Sequence, residues 1–280
     1  MARVSAIVVT YHTGPSLKDG LYALASDPDI DEIVIVDNGN PASMGAWITD
    51  FAVRTAKATY LKAPKNLGFG RGVNLGAVQA TGDALLIINP DCILRQGSIV
   101  QLLAAADGAP SPWIVGGRIF DVRGQAQRGP RRRELTLGRA LSKLAGGPGI
   151  DLPDAPLACG PEPMDVISGA FFLIDRAGFD TLGGFDEDYF LHVEDIDLCK
   201  RAHLMGGTVI YEPRAGALHY GATSDVPALV VERHKAAGFA RYFRKFAQGP
   251  LNRIAAELTI PLIYFGLLGR AWFRARRGQH

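Results

Sequence analysis

"SAIVVTYHTGPSLKDGLYALASDPDIDEIVIVDNG", residues 5–39, sets two apolar, β-branched runs on either side of a segment with helical spacing. "SAIVVTYH" and "DEIVIVDNG" carry the pattern of buried strands, and Ser16 to Ala25 between them has helical spacing with a serine placed to cap it. This predicts a β-α-β unit. Downstream, "ATYLKA" predicts a third strand, "GRGVNLGAVQAT" a helix, "ALLIINPD" a fourth strand closed by a Pro-Asp turn, and "GSIVQLLAAA" a further helix. Repeated alternation of this kind points to an α/β fold, a mostly parallel sheet with helices on both faces. Open sheets of that type bind ligands at the carboxyl ends of their strands. Three strands end there in polar tips: Thr10 and His12, Asp37 and Asn38, Asn89 and Asp91.

Composition bounds the rest. A chain of 280 residues, 48% hydrophobic and 21% charged, buries a full core and is not a disordered segment. Cys92, Cys159 and Cys199 are odd in number and lack metal-ligand spacing, so they read as reduced, buried thiols of a cytoplasmic protein. The N-terminal apolar run reads as a first strand and not as a secretion signal. The net charge of +2 hides an asymmetry: from Val231 onward ten basic residues face two acidic ones, leaving −6 on the preceding 230 residues and +8 on the tail. A basic tail on an acidic body implies an anionic partner, a lipid surface or a nucleic acid.

Neither common phosphate loop is present. "TYHTGPS" after the first strand is no GxGxxG, and GxxxxGK[ST] is absent. "NLGFGRGVNLG", residues 66–76, is glycine-rich; as a flexible helix entry it needs no ligand, but Arg71 and Asn74 within it favour a ligand-facing turn. Residues 186–197 hold six carboxylates, Asp186, Glu187, Asp188, Glu194, Asp195 and Asp197, too many to stand close and unpaired.

In chain order, "VVTYH", "IVIVDNGN", "NLGFGRGVNLG", "INPDC", "SGAFFLIDRAGFDTLGGFDEDYFLHVEDIDLCKRAHLMGG" and "EPRAGALHYGATS" resemble the inverting nucleotide-sugar glycosyltransferases of family 2, rhamnosyltransferase-type members above all. The resemblance implies a GT-A fold over residues 1–225, with a nucleotide-sugar-binding half at 1–120 and an acceptor and catalytic half at 121–225. It implies that Asp37 reads the donor's pyrimidine ring with Thr10, His12, Asn38 and Asn66 around it, and that Arg71 and Asn74 face the donor. Asp-Asn-Gly is also a strong turn signal, so a purely structural Asp37 stays open. "NPD" departs from the family's commoner Asp-x-Asp: Asn89 replaces the first acid and leaves Asp91 to hold Mg²⁺ or Mn²⁺ against the diphosphate, with His219 as a second ligand.

Inverting transfer needs one carboxylate to take the acceptor's proton. The resemblance assigns that role to Asp195 of "VED", with Glu194 orienting the acceptor or the helix. Asp197 is spaced for a pair with Arg201, and Asp186 is placed at the acceptor cleft. "RGPRRR", residues 128–133, is either a basic loop over the diphosphate or a solvated charge run, and the Pro- and Gly-rich residues 145–163 read as a loop near the acceptor.

Residues 226–280 form a helical, basic, amphipathic extension. Phe239, Phe243 and Phe246 recur at helical spacing with Lys235, Arg241, Arg244 and Lys245 on other faces. Leu258 to Leu268 is too short an apolar run to span a bilayer, and Pro261, Gly266 and Gly269 weaken a straight helix, so the segment is expected to lie in an anionic membrane interface with Trp272 at head-group level. The alternative covering is the enzyme body or a homodimer partner. The expected partners are a nucleoside-diphosphate sugar, dTDP-rhamnose first, and a glycan acceptor, lipid-linked on the cytoplasmic leaflet; nucleic acid is not among them. A nucleotidyltransferase and a non-catalytic GT-A scaffold are the competing readings.

Overall fold

The computed structural model describes residues 2–152, 160–221 and 227–277, with side chains at all of these except 228 and 272–277. Strand β1 (Val4–Thr10), helix α1 (Ser16–Ser26) and strand β2 (Glu32–Asp37) form the expected unit. Helix α2 (Ala42–Arg54) buries only Ile48 and Phe51, a stripe too thin to stand out in sequence. Then come β3 (Ala58–Lys62), α3 (Phe69–Gln79), β4 (Ala84–Ile88), β5 (Cys92–Leu94), α4 (Ser98–Ala106) and β6 (Trp113–Phe120). The second half contains β7 (Arg131–Arg132), α5 (Leu137–Leu144), β8 (Glu162–Pro163), β9 (Val166–Ile167), β10 (Phe171–Asp175), α6 (Arg176–Thr181), α7 (Glu194–Leu204) and β11 (Thr208–His219). Helices α8 (Ala228–Phe246) and α9 (Gly249–Arg277) close the chain.

Among the described residues the main sheet runs β3-β2-β1-β4-β10-β6-β11-β5, with β8 beside β11. The first four strands are parallel, as their β-α-β connections require. Beyond β4 the sheet keeps its prevailing direction in β6 and β11, which pair parallel, and is interrupted by β10, antiparallel to both β4 and β6, and by β5 and β8, antiparallel to β11. This reversal positions the site. Phe171 pairs with Ile88, so the turn entering β10 lies at the edge where β1, β2 and β4 end. The two sheet faces bury separate clusters, one around Ile33, Leu86 and Leu173, the other around Ile7, Phe172 and Phe185.

The second cluster also takes in Ala236, Tyr242 and Phe243 of α8 and Ala256, Ile260, Ile263 and Leu267 of α9. The expectation that α8 offers its basic face to lipid is therefore corrected. Arg241 lies 2.8 Å from Asp186 and 2.7 Å from Asp188, and Lys245 lies 2.6 Å from both Asp186 and Asp197. Arg244 pairs with Glu257 of α9 at 2.7 Å. Three of the six carboxylates of 186–197, Asp186, Asp188 and Asp197, are thus paired by the basic tail of the same molecule.

Helix α9 is continuous through Pro261, Gly266 and Gly269, the residues expected to weaken it. A proline removes one helical hydrogen bond, but packing on the body holds the helix together across it. Leu251, Ile254, Leu258, Leu262 and Phe265 form a second apolar stripe on its outer face, 57% to 82% exposed. The residue expected at head-group level, Trp272, lies outside the described side chains, and Cys159 lies outside the described residues. Cys92 and Cys199 are buried free thiols, as expected.

Candidate functional site

β4 ends in the Asn89-Pro90-Asp91 turn, and β11 ends beside it at His219, which pairs in register with Cys92. Asp91 is 5% exposed, and its Oδ1 lies 3.2 Å from His219 Nε2. Ligand atoms of Asp91, Cys92 and His219 all fall within 4.8 Å of one another. Burial and the Asp91 charge push the Cys92 thiol pKa well up, so a carboxylate and an imidazole are the donors available to a hard cation. That set fits Mn²⁺ or Mg²⁺ with phosphate and water completing the shell. Gln127 backs the pair: its Oε1 is 2.9 Å from His219 Nδ1, and its Nε2 donates to the His219 carbonyl at 2.9 Å. No sequence signal marks Gln127, because its partner is 92 residues away.

Asp195, in the first turn of α7, accepts at Oδ2 from Arg132 Nη1 at 2.9 Å and from Gly169 N at 2.9 Å, and at Oδ1 from Ile196 N at 2.9 Å. Every partner is a donor, the surroundings of an ionised carboxylate. Glu194 differs. Burial, reinforced by the Asp195 charge, pushes its pKa up, and its Oε2 has no hydrogen-bond partner. Two adjacent carboxyls, one held by donors and one with an unpartnered oxygen, can divide the work of proton acceptor and hydroxyl ligand.

The turn before them is strained, since His192 and Val193 both have positive φ, 69° and 75°. A β-branched residue there costs on the order of 1–3 kcal/mol and persists only where packing dictates it. Here α8 presses on the turn, with Gly238 against Val193 and the His192 carbonyl. His192 is exposed to the cavity yet crowded by protein, and this crowding, with Lys235 nearby, pushes its pKa down to about 4.

A cavity of about 470 Å³ joins these elements. Asn89 and His219 lie on its wall with Arg132, Gly169, Glu194 and Asp195; α5, α8 and α9 complete it, partly through Lys143, Lys235 and Leu267. Glu232 of α8 also faces it and has a buried Oε2 without a hydrogen-bond partner. Ile150 and Asp151, in the Pro- and Gly-rich loop, are on the wall as well; residues 153–159 of that loop lie outside the described residues. "RGPRRR" is not a solvated run at its centre. Arg131 pairs with Glu162 at 2.7 Å and Arg132 with Asp195, both largely shielded from solvent.

The remaining predicted residues gather elsewhere along the sheet edge. Thr10 and Asp37 are paired in register. Asp37 Oδ1 accepts from Gly39 N, Asn40 N and Asn40 Nδ2, and Oδ2 accepts from the Tyr60 hydroxyl at 2.9 Å. Burial works to raise its pKa, but these hydrogen bonds outweigh it and leave the pKa lowered. Asn38 donates to Asn66 Oδ1 and to the Gly68 carbonyl, and Thr10 bonds Thr13 and Asn40. The Tyr11 and His12 rings meet at 4.6 Å, tilted by 60°, beside this turn, with His12 exposed.

Arg71 and Asn74 both hydrogen-bond within the protein itself. Asn74 donates to the Phe185 carbonyl at 2.9 Å and accepts from Phe185 N at 2.9 Å, while Arg71 donates to the Glu187 carbonyl at 2.8 Å. Gly68, at φ 84°, lets the same segment press on Phe190, whose carbonyl a Cβ would strike. The glycine-rich stretch is a clamp on residues 185–190. Asp186 is likewise no cleft residue: it is held by Arg241 and Lys245 and is absent from the cavity wall.

The family model for glycosyl transferase family 2 matches residues 5–183. The chain is 29% identical over 256 residues to the N-acetylglucosaminyl-diphospho-decaprenol L-rhamnosyltransferase of Mycobacterium tuberculosis, covering 82% of this chain and 80% of that protein. Among solved structures, GalNAc-T7 with UDP, GalNAc and Mn²⁺ superposes with a TM-score of 0.63 at 15% identity, over 79% of this chain and 43% of that one. The mannosyltransferase PcManGT of Pyrobaculum calidifontis, in complex with GDP-Man and Mn²⁺, gives a TM-score of 0.62 at 16% identity, over 96% of this chain and 73% of that one.

Proposed function

The chain belongs to glycosyl transferase family 2 and is a glycosyltransferase with a GT-A fold, and from that premise we propose a metal-dependent, inverting transfer of a sugar from a nucleoside diphosphate to a hydroxyl of a lipid-linked glycan. The observation that carries this reading is one cavity whose wall holds both His219, 3.2 Å from Asp91, and Asp195, 2.9 Å from Arg132. Asp195 takes the proton of the acceptor hydroxyl as its oxygen bonds to the anomeric carbon, and the bond from that carbon to the diphosphate breaks on the opposite side. Asp91 and His219 would hold a divalent ion, which would supply positive charge for the departing diphosphate. Glu194 and Glu232, each with an unpartnered oxygen, bind hydroxyls of the acceptor. Thr10, His12, Asp37, Asn38 and Asn66 border the nucleoside.

L-Rhamnose from dTDP-rhamnose is the leading donor, supported by the rhamnosyltransferase relative, whose decaprenol-linked acceptor also supports a lipid-linked one in cell-surface polysaccharide synthesis. Residues 1–225 act as the catalytic domain and 226–280 as its helical extension, whose Glu232, Lys235, Ile263 and Leu267 lie on the cavity wall. By length and composition, Gly249–Ala271 of α9 suffices to cross a membrane. With one face seated on the enzyme, its outer stripe suits the cytoplasmic membrane surface.

The test is a thermal-shift titration with dTDP, UDP and GDP, each with and without Mg²⁺ or Mn²⁺. A ligand that binds only the folded chain raises its melting temperature by mass action. Metal-enhanced stabilisation by dTDP, lost in Asp91→Ala, is the expected result. No shift with any nucleoside diphosphate at millimolar concentration refutes the donor-site reading.

A further inference from the structure

We propose that Gln127 is a positioning residue that sets the tautomer of His219 and thereby aims the Nε2 lone pair at the metal position. The inference rests on the reading of Asp91 and His219 as metal ligands. Gln127 is fixed before it meets the histidine. Asp121 closes the turn after β6 by accepting at Oδ1 from Arg123 N and Gln125 N, and Gln127 N donates back to the Ile119 carbonyl at 2.8 Å. The short hairpin delivers the Gln127 side chain to the end of β11.

There the amide has one workable orientation. A backbone carbonyl only accepts hydrogen bonds, so the His219 carbonyl, 2.9 Å from Nε2, must face the amide NH₂. That leaves Oε1, an acceptor, 2.9 Å from His219 Nδ1, which must then carry the proton. In neutral imidazole the other nitrogen, Nε2, keeps its lone pair, and it lies 3.2 Å from Asp91 Oδ1. A lone pair facing a carboxylate oxygen is repulsive unless a positive charge, a proton or a metal ion, lies between them, so Gln127 fixes Nε2 as the nitrogen turned to the metal position. Outer partners of this kind typically contribute about 10–100-fold to metal affinity. The need is greater here, because Asn89 takes the place of a second acid.

The same segment reaches the other end of the cavity. Five residues after Gln127, Arg132 holds Asp195. One stretch between β6 and α5 thus orients both the metal histidine and the proton acceptor.

The test is Mn²⁺ binding to the full chain without nucleotide, read by electron paramagnetic resonance, for wild type, Gln127→Met, Gln127→Glu and His219→Ala. Gln127→Met keeps side-chain length without the two hydrogen bonds and is expected to weaken Mn²⁺ about 10–100-fold, whereas Gln127→Glu, which still accepts from Nδ1–H, retains more. Nitrogen-15 spectra of the wild-type imidazole provide a readout that does not depend on any variant folding, and are expected to show the proton on Nδ1. Mn²⁺ affinity of Gln127→Met within twofold of wild type, where His219→Ala has lost binding, overturns the proposal. A wild-type spectrum with Nδ1 unprotonated overturns it as well. Equal binding by wild type and His219→Ala overturns the metal-ligand reading first, and the role of Gln127 with it.

Discussion

Arg132 Nη1 lies 2.9 Å from Asp195 Oδ2, and both side chains are largely shielded from solvent. An ion pair in that setting is sensitive to loss of one partner, because the other charge is left stranded in a poorly solvated site. Its position on the cavity wall makes that sensitivity catalytic. Asp195→Asn is expected to lower transfer by about 10³-fold or more while donor affinity stays within a few fold, by removing the proton acceptor alone. Arg132→Ala should lower kcat by about 10–100-fold, with partial recovery in Arg132→Lys. Steady-state kinetics beside donor titration separate the two effects, and unchanged turnover in Asp195→Asn sinks the assignment.

Asn74 joins α3 to residues 185–187 through two backbone bonds and a contact to Glu187 Oε1 at 3.2 Å. Asn74→Ala leaves the Phe185 amide without its partner and should cost ~2–3 kcal/mol in urea denaturation, with donor affinity unchanged. A selective loss of donor affinity without loss of stability would return Asn74 to the ligand site.

Asp186 predicts an acid limb in stability. Burial raises its pKa, but hydrogen bonds from Lys245 and Arg241 prevail and hold it at about 2 against an ordinary 3.8. A depressed folded pKa stabilises above the unfolded value and loses that contribution as pH falls through the folded one. Stability should therefore drop between about pH 4 and pH 2, by up to ~2 kcal/mol from this group. Asp186→Asn should lose a similar amount at neutral pH and flatten that part of the curve. An identical acid limb in the variant contradicts the pairing.

The outer stripe of α9 makes the membrane reading testable without disturbing the fold. Leu258 and Phe265 are each 72% exposed, so Leu258→Glu with Phe265→Glu should leave the melting temperature nearly unchanged. Wild type is expected to sediment with phosphatidylglycerol vesicles and the double variant to remain in solution. A wild type that ignores vesicles, yet is a dimer that the double variant splits, makes the stripe a dimer seam.

What the sequence determined by itself was local. The β-branched runs of β1, β2 and β4 and the helical period between them announce the parallel N-terminal half of the sheet, because burial on both sheet faces imposes a pattern on consecutive residues. The polar strand tips and "VED" were legible for the same reason: they are short, contiguous and placed at element ends. Tertiary structure decided the pairings, whose partners are distant in the chain. Asp91 meets His219 across a sheet made mixed by β10, Gln127 meets His219 at a separation of 92 residues, and Arg132 meets Asp195 at 63. The basic tail looked free in sequence because charge composition records no partner. Only folding brings Arg241 onto Asp186 and Lys245 onto Asp186 and Asp197, at 2.6–2.8 Å, where opposite charges attract far more strongly than across an extended chain.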